Sequence, residues 1–415
     1  MKTTVFTVFT IAGVILAISL TAAIGAEPAA PPAAAAKPAP ADSTKKLQPL
    51  PEPGAARAFG QPGTIDTRKA PAWWLSRPDE VEAFLRSLAG VEVFELGRSA
   101  GGRPILAAAW GQREDLPGRT SDSLASAIAG GDPQAFYGKG QRRRQGFLFL
   151  GAAHGTEIEG TVAALNFLNV VATGKDLRGK AWPRMAEAAR QLRVVIVPFF
   201  NIDGRQRFRE YRHFIGVHPD DTRLITNGRW KDGELLGWPQ SKLHHPVPID
   251  RVDVLGSYYN DHGVNLVYDD GIGGTCEPET RALVEFLRRE RPDCVLCSHS
   301  DNGSLVQPGS SFIPTHFRQR VVEIGALVGS RCQREGMKKF RIPDRIDQYS
   351  GQTFYQTDVI YHCCGALPVV VEFPCGYQNV PDSPDEILDI GLYALEEVAA
   401  FGAAYRFRPP DPKWK

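Results

Sequence analysis

The sequence predicts an α/β fold with a mixed, mostly parallel central sheet and helices on both of its faces. Two observations support this prediction. Short apolar segments alternate along the chain with longer segments of helical periodicity. The apolar segments are nearly continuous rather than alternating, as is typical of strands whose two faces are both covered.

The first predicted elements lie between residues 79 and 110. Residues 79–88 have the apolar spacing of a helix. Residues 91–96 and 104–110 are strand-like, and the glycine-rich stretch between them predicts a hairpin turn.

Further strands and helices are predicted from residue 146 onward. The strands are residues 146–150, 194–200, 293–297 and 367–373. The helices are residues 158–171, 279–289, 317–335 and 384–401.

The chain has 415 residues, which suits one large domain or two ordinary ones. Residues 1–25 predict a secretory signal peptide, because Lys2 precedes an apolar run that ends in small residues. We therefore expect a secreted or periplasmic protein. An uncleaved N-terminal membrane anchor is the alternative, since the apolar run is long enough to span a bilayer.

The rest of the chain divides by composition. Residues 26–68 are rich in alanine and proline and predict an extended linker. We expect one folded domain at residues 69–405 and a tail at residues 406–415. Within the domain, residues 205–262 are rich in Gly, Pro, Asp and Trp without periodicity, which indicates an insertion or an elaborated loop.

The formal net charge is +1, so the composition indicates neither nucleic acid nor an acidic surface as a partner. We expect no membrane partner apart from the possible N-terminal anchor. Export permits disulfides, and the seven cysteines could form at most three pairs, whose identity the sequence leaves open.

Four polar residues follow or end predicted strands. His154 and Glu157 come after the strand at 146–150, His299 ends the segment after residue 293, and Glu372 ends the last strand. Ligands of α/β sheets bind beyond the carboxyl ends of strands. Two histidines and one glutamate form the ligand set of a catalytic zinc, and a further glutamate can serve as general base.

The chain resembles the zinc metallocarboxypeptidases of the carboxypeptidase A type. Matching segments occur in the family's order over about residues 75–400. They are the strand-turn-strand segment 96–105, the His-x-x-Glu motif from His154 to Glu157, the Asn-x-Asp-Gly turn 201–204, the helix start 277–282, Ser298-His299-Ser300 and Val371-Glu372-Phe373.

The resemblance implies one Zn²⁺ per chain, held by His154, Glu157 and His299. It implies that Glu372 acts as general base on zinc-activated water. An arginine is expected to stabilise the oxyanion, and Arg229 is the best local match. Tyr349 stands where the family carries a mobile tyrosine that covers the substrate. The expected activity is zinc-dependent hydrolysis of a peptide or amide substrate.

One segment departs from the family pattern. The family grips the substrate's terminal carboxylate with an Asn-Arg pair, and this chain has Val267 and Tyr268 at those positions. Neither side chain can replace a bidentate arginine. Either an arginine of the 205–262 segment does this work, or the substrate is not an ordinary peptide C-terminus.

Two other parts of the sequence could indicate a different site. Gly97-Arg98-Ser99-Ala100-Gly101 matches the nucleophile elbow of serine hydrolases, but that motif requires a helix after the serine and a strand is predicted there. His218 and the pair His244-His245 could bind a metal, but they lie in proline-rich segments without a preceding strand.

Two alternative functions keep the same metal motif. One is a zinc amidase or deacylase that acts on acyl-amino acids or cell-wall peptides. The other is a non-catalytic binding protein derived from a peptidase, which the missing carboxylate clamp would favour and the retention of Glu372 would not.

Overall fold

A seven-stranded sheet organises the part of the chain that the structure describes. The computed structural model describes residues 69–114, 129–130, 143–217, 219–237, 246–270, 276–301, 306–307, 309–337, 354–376 and 383–409. All of these residues belong to the unit Ala41–Lys415. The predicted signal peptide (1–25) and linker (26–68) lie outside the described residues, so both stay predictions.

The central sheet has the strand order β1-β2-β4-β3-β7-β9-β8. Strands β4, β3, β7 and β9 pair in parallel, whereas β2 and β8 run antiparallel to their neighbours. The predicted mixed, mostly parallel sheet is therefore confirmed. Its strands are β1 Val91–Arg98, β2 Pro104–Trp110, β3 Gly146–Leu150, β4 Arg193–Val197, β7 Cys294–Asp301, β8 Val306–Gln307 and β9 Leu367–Pro374.

The helices cover both faces of this sheet, and β3 and β4 are consequently buried at every position. The helices are α1 Pro78–Ser87, α2 Glu159–Thr173, α3 Pro183–Arg190, α4 Ile202–Arg207, α5 Pro219–Thr226, α6 Pro278–Glu290, α7 Thr315–Arg334, α8 Gln356–Cys364 and α9 Pro384–Ala404. Helix α9 packs against α2, α3 and α7, whereas α6 packs against α8 and β1. Helix α2 is buried along nearly its whole length because it lies between α9 and the strands β7 and β9.

Four of the described helices were not predicted, namely α3, α4, α5 and α8. Helix α3 has only eight residues, and its buried face consists of Met185 and three alanines, so it offers few large apolar residues by which a helix could be predicted. Helix α8 has only nine residues, and most of them are buried, so its sequence lacks an amphipathic pattern.

The 205–262 segment contains regular structure within its described residues. Strands β5 Gly228–Trp230 and β6 Val252–Leu255 form a two-stranded antiparallel sheet. Its apolar residues form two small clusters, one centred on Phe208, Phe214 and Ile225 and one on Leu236 and Tyr259. The segment is therefore a packed elaboration beside the main sheet.

The packed region continues past residue 405 at the C-terminus. Phe407 is fully buried, and its ring lies 6.4 Å from that of Phe147. Its backbone N–H donates to Gln145 Oε1 at 2.9 Å. Phe407, which the predicted tail 406–415 includes, thus belongs to the core.

All seven cysteines lie within the described residues, and none of them forms a disulfide. Among the described helices, none is long and apolar enough to cross a bilayer.

Candidate metal centre

His154 and Glu157 lie in the turn that follows β3. The backbone N–H of Glu157 donates to His154 O at 2.9 Å, which closes a tight turn just before α2. Gly155 is required there, because a Cβ would lie 2.3 Å from the backbone nitrogen of Arg205. The small residues of this segment therefore let it approach the start of α4 closely.

Three buried side chains converge at the carboxyl end of the parallel strands. The Nδ1 atoms of His154 and His299 each lie 2.9 Å from a different oxygen of the Glu157 carboxylate. The candidate ligand atoms of these three residues all lie within 4.8 Å of one another. The structure thus brings together the three residues that the sequence predicts as zinc ligands.

This donor set fits zinc. Two neutral imidazoles and one carboxylate make up a common set of three protein ligands for a catalytic zinc. Burial opposes ionisation of Glu157, but the charges of His154 and His299 and the hydrogen bonds from both rings outweigh it. They hold the pKa of the Glu157 carboxyl well below its usual range. The Glu157 carboxyl is therefore held in its ionised form, which is the form that binds a cation.

Glu372 lies beside this centre on the neighbouring strand. In the parallel register of β7 and β9, Glu372 is the partner of His299. Gln307 Nε2, from β8, donates to Glu372 Oε1 at 3.1 Å. The Glu372 side chain is half-buried, so its carboxylate can meet both the centre and solvent.

Glu159 adds a further carboxylate that the sequence did not single out. It is buried, and Ser300 Oγ donates to its Oε2 at 2.6 Å. Burial raises the pKa of Glu159 to about 7, although the hydrogen bond from Ser300 opposes the shift. Glu159 and Ser300 connect the start of α2 to β7 directly behind two of the candidate ligands.

Tyr258 also lies at the centre and was not predicted. Its ring stacks on the His154 imidazole with a centroid distance of 3.7 Å and an interplanar angle of 15°. Burial, the negative charges at Glu157 and Glu372 and a hydrogen bond with Glu157 raise the pKa of the Tyr258 hydroxyl well above its ordinary value. Sequence reasoning missed it because an aromatic residue in an aperiodic segment carries no distinguishing signal.

The segment that replaces the carboxylate clamp lies close by. Val267 and Tyr268 belong to the 3₁₀ turn Leu266–Tyr268, which the Asn265 side chain caps by accepting from Val267 N. Burial and the negative charges at Glu372 and Glu157 raise the pKa of Tyr268 to about 12. The position that the resemblance aligns with the family's arginine thus holds a protonated phenol. The negative charges of Glu372 and Glu157 act on this phenol.

Arg229 lies on β5, in the small two-stranded sheet and not on a strand that carries a candidate ligand. Its Nε and one terminal nitrogen donate to Asp253 Oδ2 at 2.9 and 2.6 Å. Asp253 belongs to β6, so the ion pair links the two strands of the small sheet. The expected role of Arg229 on the oxyanion stays a prediction.

Several other predicted residues lie outside the described part of the chain, namely Tyr349, His218, His244 and His245. Ser99 is described and lies in the turn between β1 and β2. It is buried, and its hydroxyl donates to Asp203 Oδ1 at 2.5 Å. Strand β2, and not a helix, follows Ser99 directly, so the structure does not form a nucleophile elbow there.

The family profile for zinc carboxypeptidase matches residues 82–362, which is more than half of the chain. The chain belongs to the zinc carboxypeptidase family. The match includes His154, Glu157 and His299 and ends before Glu372. The resemblance on which the sequence prediction rested is thereby confirmed for the family.

Solved structures of metallocarboxypeptidases are similar to this chain at low identity. A metallo-carboxypeptidase from Burkholderia cenocepacia is 16% identical, with a TM-score of 0.47 over 78% of this chain and 68% of that chain. Carboxypeptidase A from Helicoverpa armigera is also 16% identical, with a TM-score of 0.45 over 85% and 78%. Because these similarities are low, the family assignment rests on the profile. No curated protein matches the chain.

Proposed function

We propose that this protein is a zinc-dependent hydrolase of peptide or amide bonds with one zinc per chain. The observation that supports it most is the convergence of His154 Nδ1, His299 Nδ1 and the Glu157 carboxylate in a buried site, with Glu372 on the adjacent strand. These residues lie on separate elements, so their approach is a property of the folded sheet and not of local sequence.

Zinc, when bound, would polarise the scissile carbonyl and make water nucleophilic at neutral pH. His154, Glu157 and His299 would hold it. Glu372 takes a proton from the attacking water as the new C–O bond forms, and it returns this proton to the leaving nitrogen as the C–N bond breaks. The hydrogen bond from Gln307 keeps the Glu372 carboxylate in place for both transfers.

The substrate's leaving-group end is proposed to be neutral. Tyr268 occupies the clamp position, and the ring of Tyr355 lies 6.5 Å from it. Gln356, the next residue, is buried, and its amide nitrogen and oxygen have no hydrogen-bond partner among the described residues. Phenol and amide groups can hydrogen-bond to a neutral amide, but they lack the positive charge that a free carboxylate requires.

A zinc deacylase that acts on acyl-amino acids or cell-wall peptides would use the same metal centre. The phenol at Tyr268 favours a substrate whose leaving-group end is neutral, such as an amidated cell-wall peptide, over an ordinary carboxypeptidase substrate or an N-acyl amino acid, both of which carry a free carboxylate at that end. The deacylase and the carboxypeptidase differ in their substrates and not in their mechanism.

The experiment is a hydrolysis screen with purified, zinc-loaded protein. It compares four classes: peptides with a free carboxylate, the same peptides amidated at the C-terminus, N-acyl amino acids and cell-wall peptides. We expect turnover with amidated peptides at least as fast as with free carboxylates. Zinc-loaded protein that hydrolyses none of the four classes would instead support a non-catalytic binding protein.

We also propose that the protein is exported by cleavage of residues 1–25. N-terminal sequencing of protein recovered outside the cytoplasm should then start at Ala26. A chain that starts at Met1 and stays with the membrane would indicate the anchor instead.

A further inference from the structure

The first turn of α2 packs behind the strand ends that carry the candidate metal centre. Successive side chains of a strand point to opposite faces of its sheet. In β7, Ser298 and Ser300 therefore share the face that lies opposite His299. Gly160 approaches this face so closely that a Cβ would lie 2.0 Å from Ser298 Oγ and 2.6 Å from the Phe373 ring. Helix α2 thus begins directly behind the histidine.

Phe373 extends this contact to the strand of the proposed general base. In the parallel register of β7 and β9, Ser300 pairs with Phe373 and His299 pairs with Glu372. Phe373 is fully buried against the start of α2, whereas Glu372 lies on the opposite face beside His299. The same helix start therefore supports both strands from behind.

One hydrogen bond fastens the helix start to β7. Ser300 Oγ donates to Glu159 Oε2 at 2.6 Å. Glu159 is the first residue of α2 and only 1% exposed, so water competes little for its carboxyl group. A carboxyl group can accept this hydrogen bond in its ionised and in its protonated form. The bond therefore persists when Glu159 takes up a proton.

The position of this bond along the chain connects two candidate ligands. Glu159 follows Glu157 by two residues, and Ser300 directly follows His299. At the centre itself, Glu157 Oε2 and His299 Nδ1 lie 2.9 Å apart. The bond between Ser300 and Glu159 thus ties together the two segments whose separation sets this distance. Replacing a residue behind a metal ligand typically costs about 10- to 100-fold in metal affinity.

We propose that Glu159 and Ser300 are positioning residues of the metal centre, and that their hydrogen bond holds the Glu157 and His299 segments at the separation that zinc requires. This proposal rests on the proposed function for the identity of the metal. Neither residue belongs to the candidate ligand set, so both act through Glu157 and His299.

The test uses the full chain with three variants and a matched control. Ser300→Ala removes the donor, whereas Glu159→Gln keeps an acceptor oxygen. The double variant Glu159→Leu/Ser300→Ala replaces both partners by apolar groups, which can leave the free energy of unfolding nearly unchanged. Ser99→Ala is the control, because it also removes a serine hydroxyl that donates to a buried carboxylate, that of Asp203 at 2.5 Å.

Three quantities are measured for each protein. They are the zinc dissociation constant by chelator competition, the free energy of unfolding of the metal-free protein in urea, and the visible absorption spectrum after Co²⁺ substitution, which reports coordination geometry. For Ser300→Ala and for the double variant we expect an about 10- to 100-fold higher zinc dissociation constant and an altered Co²⁺ spectrum. The double variant should be more stable than Ser300→Ala and yet bind zinc as weakly.

The other two proteins should bind zinc as the wild-type protein does. Glu159→Gln retains the hydrogen bond from Ser300, so its zinc affinity and Co²⁺ spectrum should stay close to those of the wild-type protein. Ser99→Ala should lose stability, because the Asp203 carboxylate loses a donor, and should keep its zinc affinity.

Four results would overturn the proposal. Zinc affinity that is unchanged in Ser300→Ala would show that the bond does not act on the centre. An equal loss in Ser99→Ala would indicate a general loosening of the fold. Recovery of both stability and zinc affinity in the double variant would make the bond a stabilising contact only. A loss in Glu159→Gln equal to that in Ser300→Ala would assign the effect to the charge of Glu159 and not to the hydrogen bond.

None of these measurements needs turnover. Wild-type protein that binds zinc and hydrolyses no substrate would refute the proposed function, and the role of Glu159 and Ser300 would still be decided by zinc affinity.

Discussion

The metal centre and the substrate end of this protein are built in different ways. His299 and Glu372 lie on paired parallel strands, where the register of β7 and β9 sets their separation. Tyr258 and Tyr268 lie on irregular chain, and side-chain and backbone hydrogen bonds from distant elements position them. The first region follows the family pattern, and the second departs from it.

This difference shows which part of the protein defines the chemistry and which part can vary. A strand in the middle of a sheet cannot shift its register without moving every side chain to the other face, so residues at its carboxyl end are held strictly. A loop that is tied down by hydrogen bonds can exchange one donor for another. The departure from the family pattern therefore lies at the proposed substrate end and not at the candidate metal ligands.

The largest expected effect is the loss of kcat on substitution of Glu372 beside the candidate metal centre. Glu372→Gln removes the general base and retains a side chain that can still accept a hydrogen bond from Gln307. We expect zinc content to stay at one per chain while kcat falls by about 10²- to 10⁴-fold. Zinc is measured by metal analysis and kcat by steady-state hydrolysis. Turnover that persists in this variant would refute the mechanism.

Next in size is the loss of a metal ligand. His299→Ala should weaken zinc binding by more than the about 10- to 100-fold that is typical when a residue behind a ligand is replaced. Chelator competition measures the dissociation constant. His262→Ala is the control, because His262 is half-exposed and pairs with Glu277 rather than with the centre. Equal zinc affinity in the two variants would contradict the ligand assignment.

The proposed neutral substrate end is tested by introducing, at position 268, the arginine that the family carries there. Tyr268→Arg should raise the ratio of kcat/KM for a free-carboxylate peptide over its amidated form, by on the order of tenfold, because a charge-assisted hydrogen bond is added. The ratio cancels any general loss of activity. Tyr268→Phe should leave it unchanged. If the wild-type protein already prefers the free carboxylate strongly, another cation holds that group and the neutral subsite is wrong.

The smallest expected effect concerns stability away from both regions. Burial and the charges of Asp203 and Glu277 raise the pKa of Glu279 to about 7 from its usual 4.5, although a hydrogen bond from Ala100 N opposes the shift. Because the folded-state pKa is the higher one, the folded protein keeps the proton longer. The protein should therefore lose stability as pH rises from about 4.5 to 7, by on the order of 1–3 kcal/mol.

Urea unfolding of Glu279→Gln at pH 4.5 and pH 7.5 checks this effect. Relative to the wild-type protein, the variant should gain stability at the higher pH. Glu285→Gln on the same helix is the control, because it makes the same substitution at an exposed position. A parallel pH dependence in wild type and Glu279→Gln would show that Glu279 does not titrate in this range.

Much of the candidate centre could be predicted from the sequence. Strands β3, β7 and β9 begin as continuous apolar runs, so their positions and their carboxyl ends could be predicted from the sequence. Residues at those ends meet at one edge of a sheet whatever the lengths of the helices between them. His154, His299 and Glu372 could therefore be found without knowledge of any tertiary contact.

The tertiary structure alone decided what surrounds these residues. Tyr258 stacks on His154 although about a hundred positions separate them in the chain, and Gln307 reaches Glu372 from a two-residue strand. Such contacts depend on side chains and backbone groups that meet only when the whole sheet is assembled, and they leave no period in the sequence. The sequence by itself indicated six of the seven strands of the main sheet, their ends and the candidate metal ligands, because apolar runs mark the strands and the candidate ligands follow or end them. Tertiary packing decided which phenols and amides face the metal centre, because long-range hydrogen bonds position them.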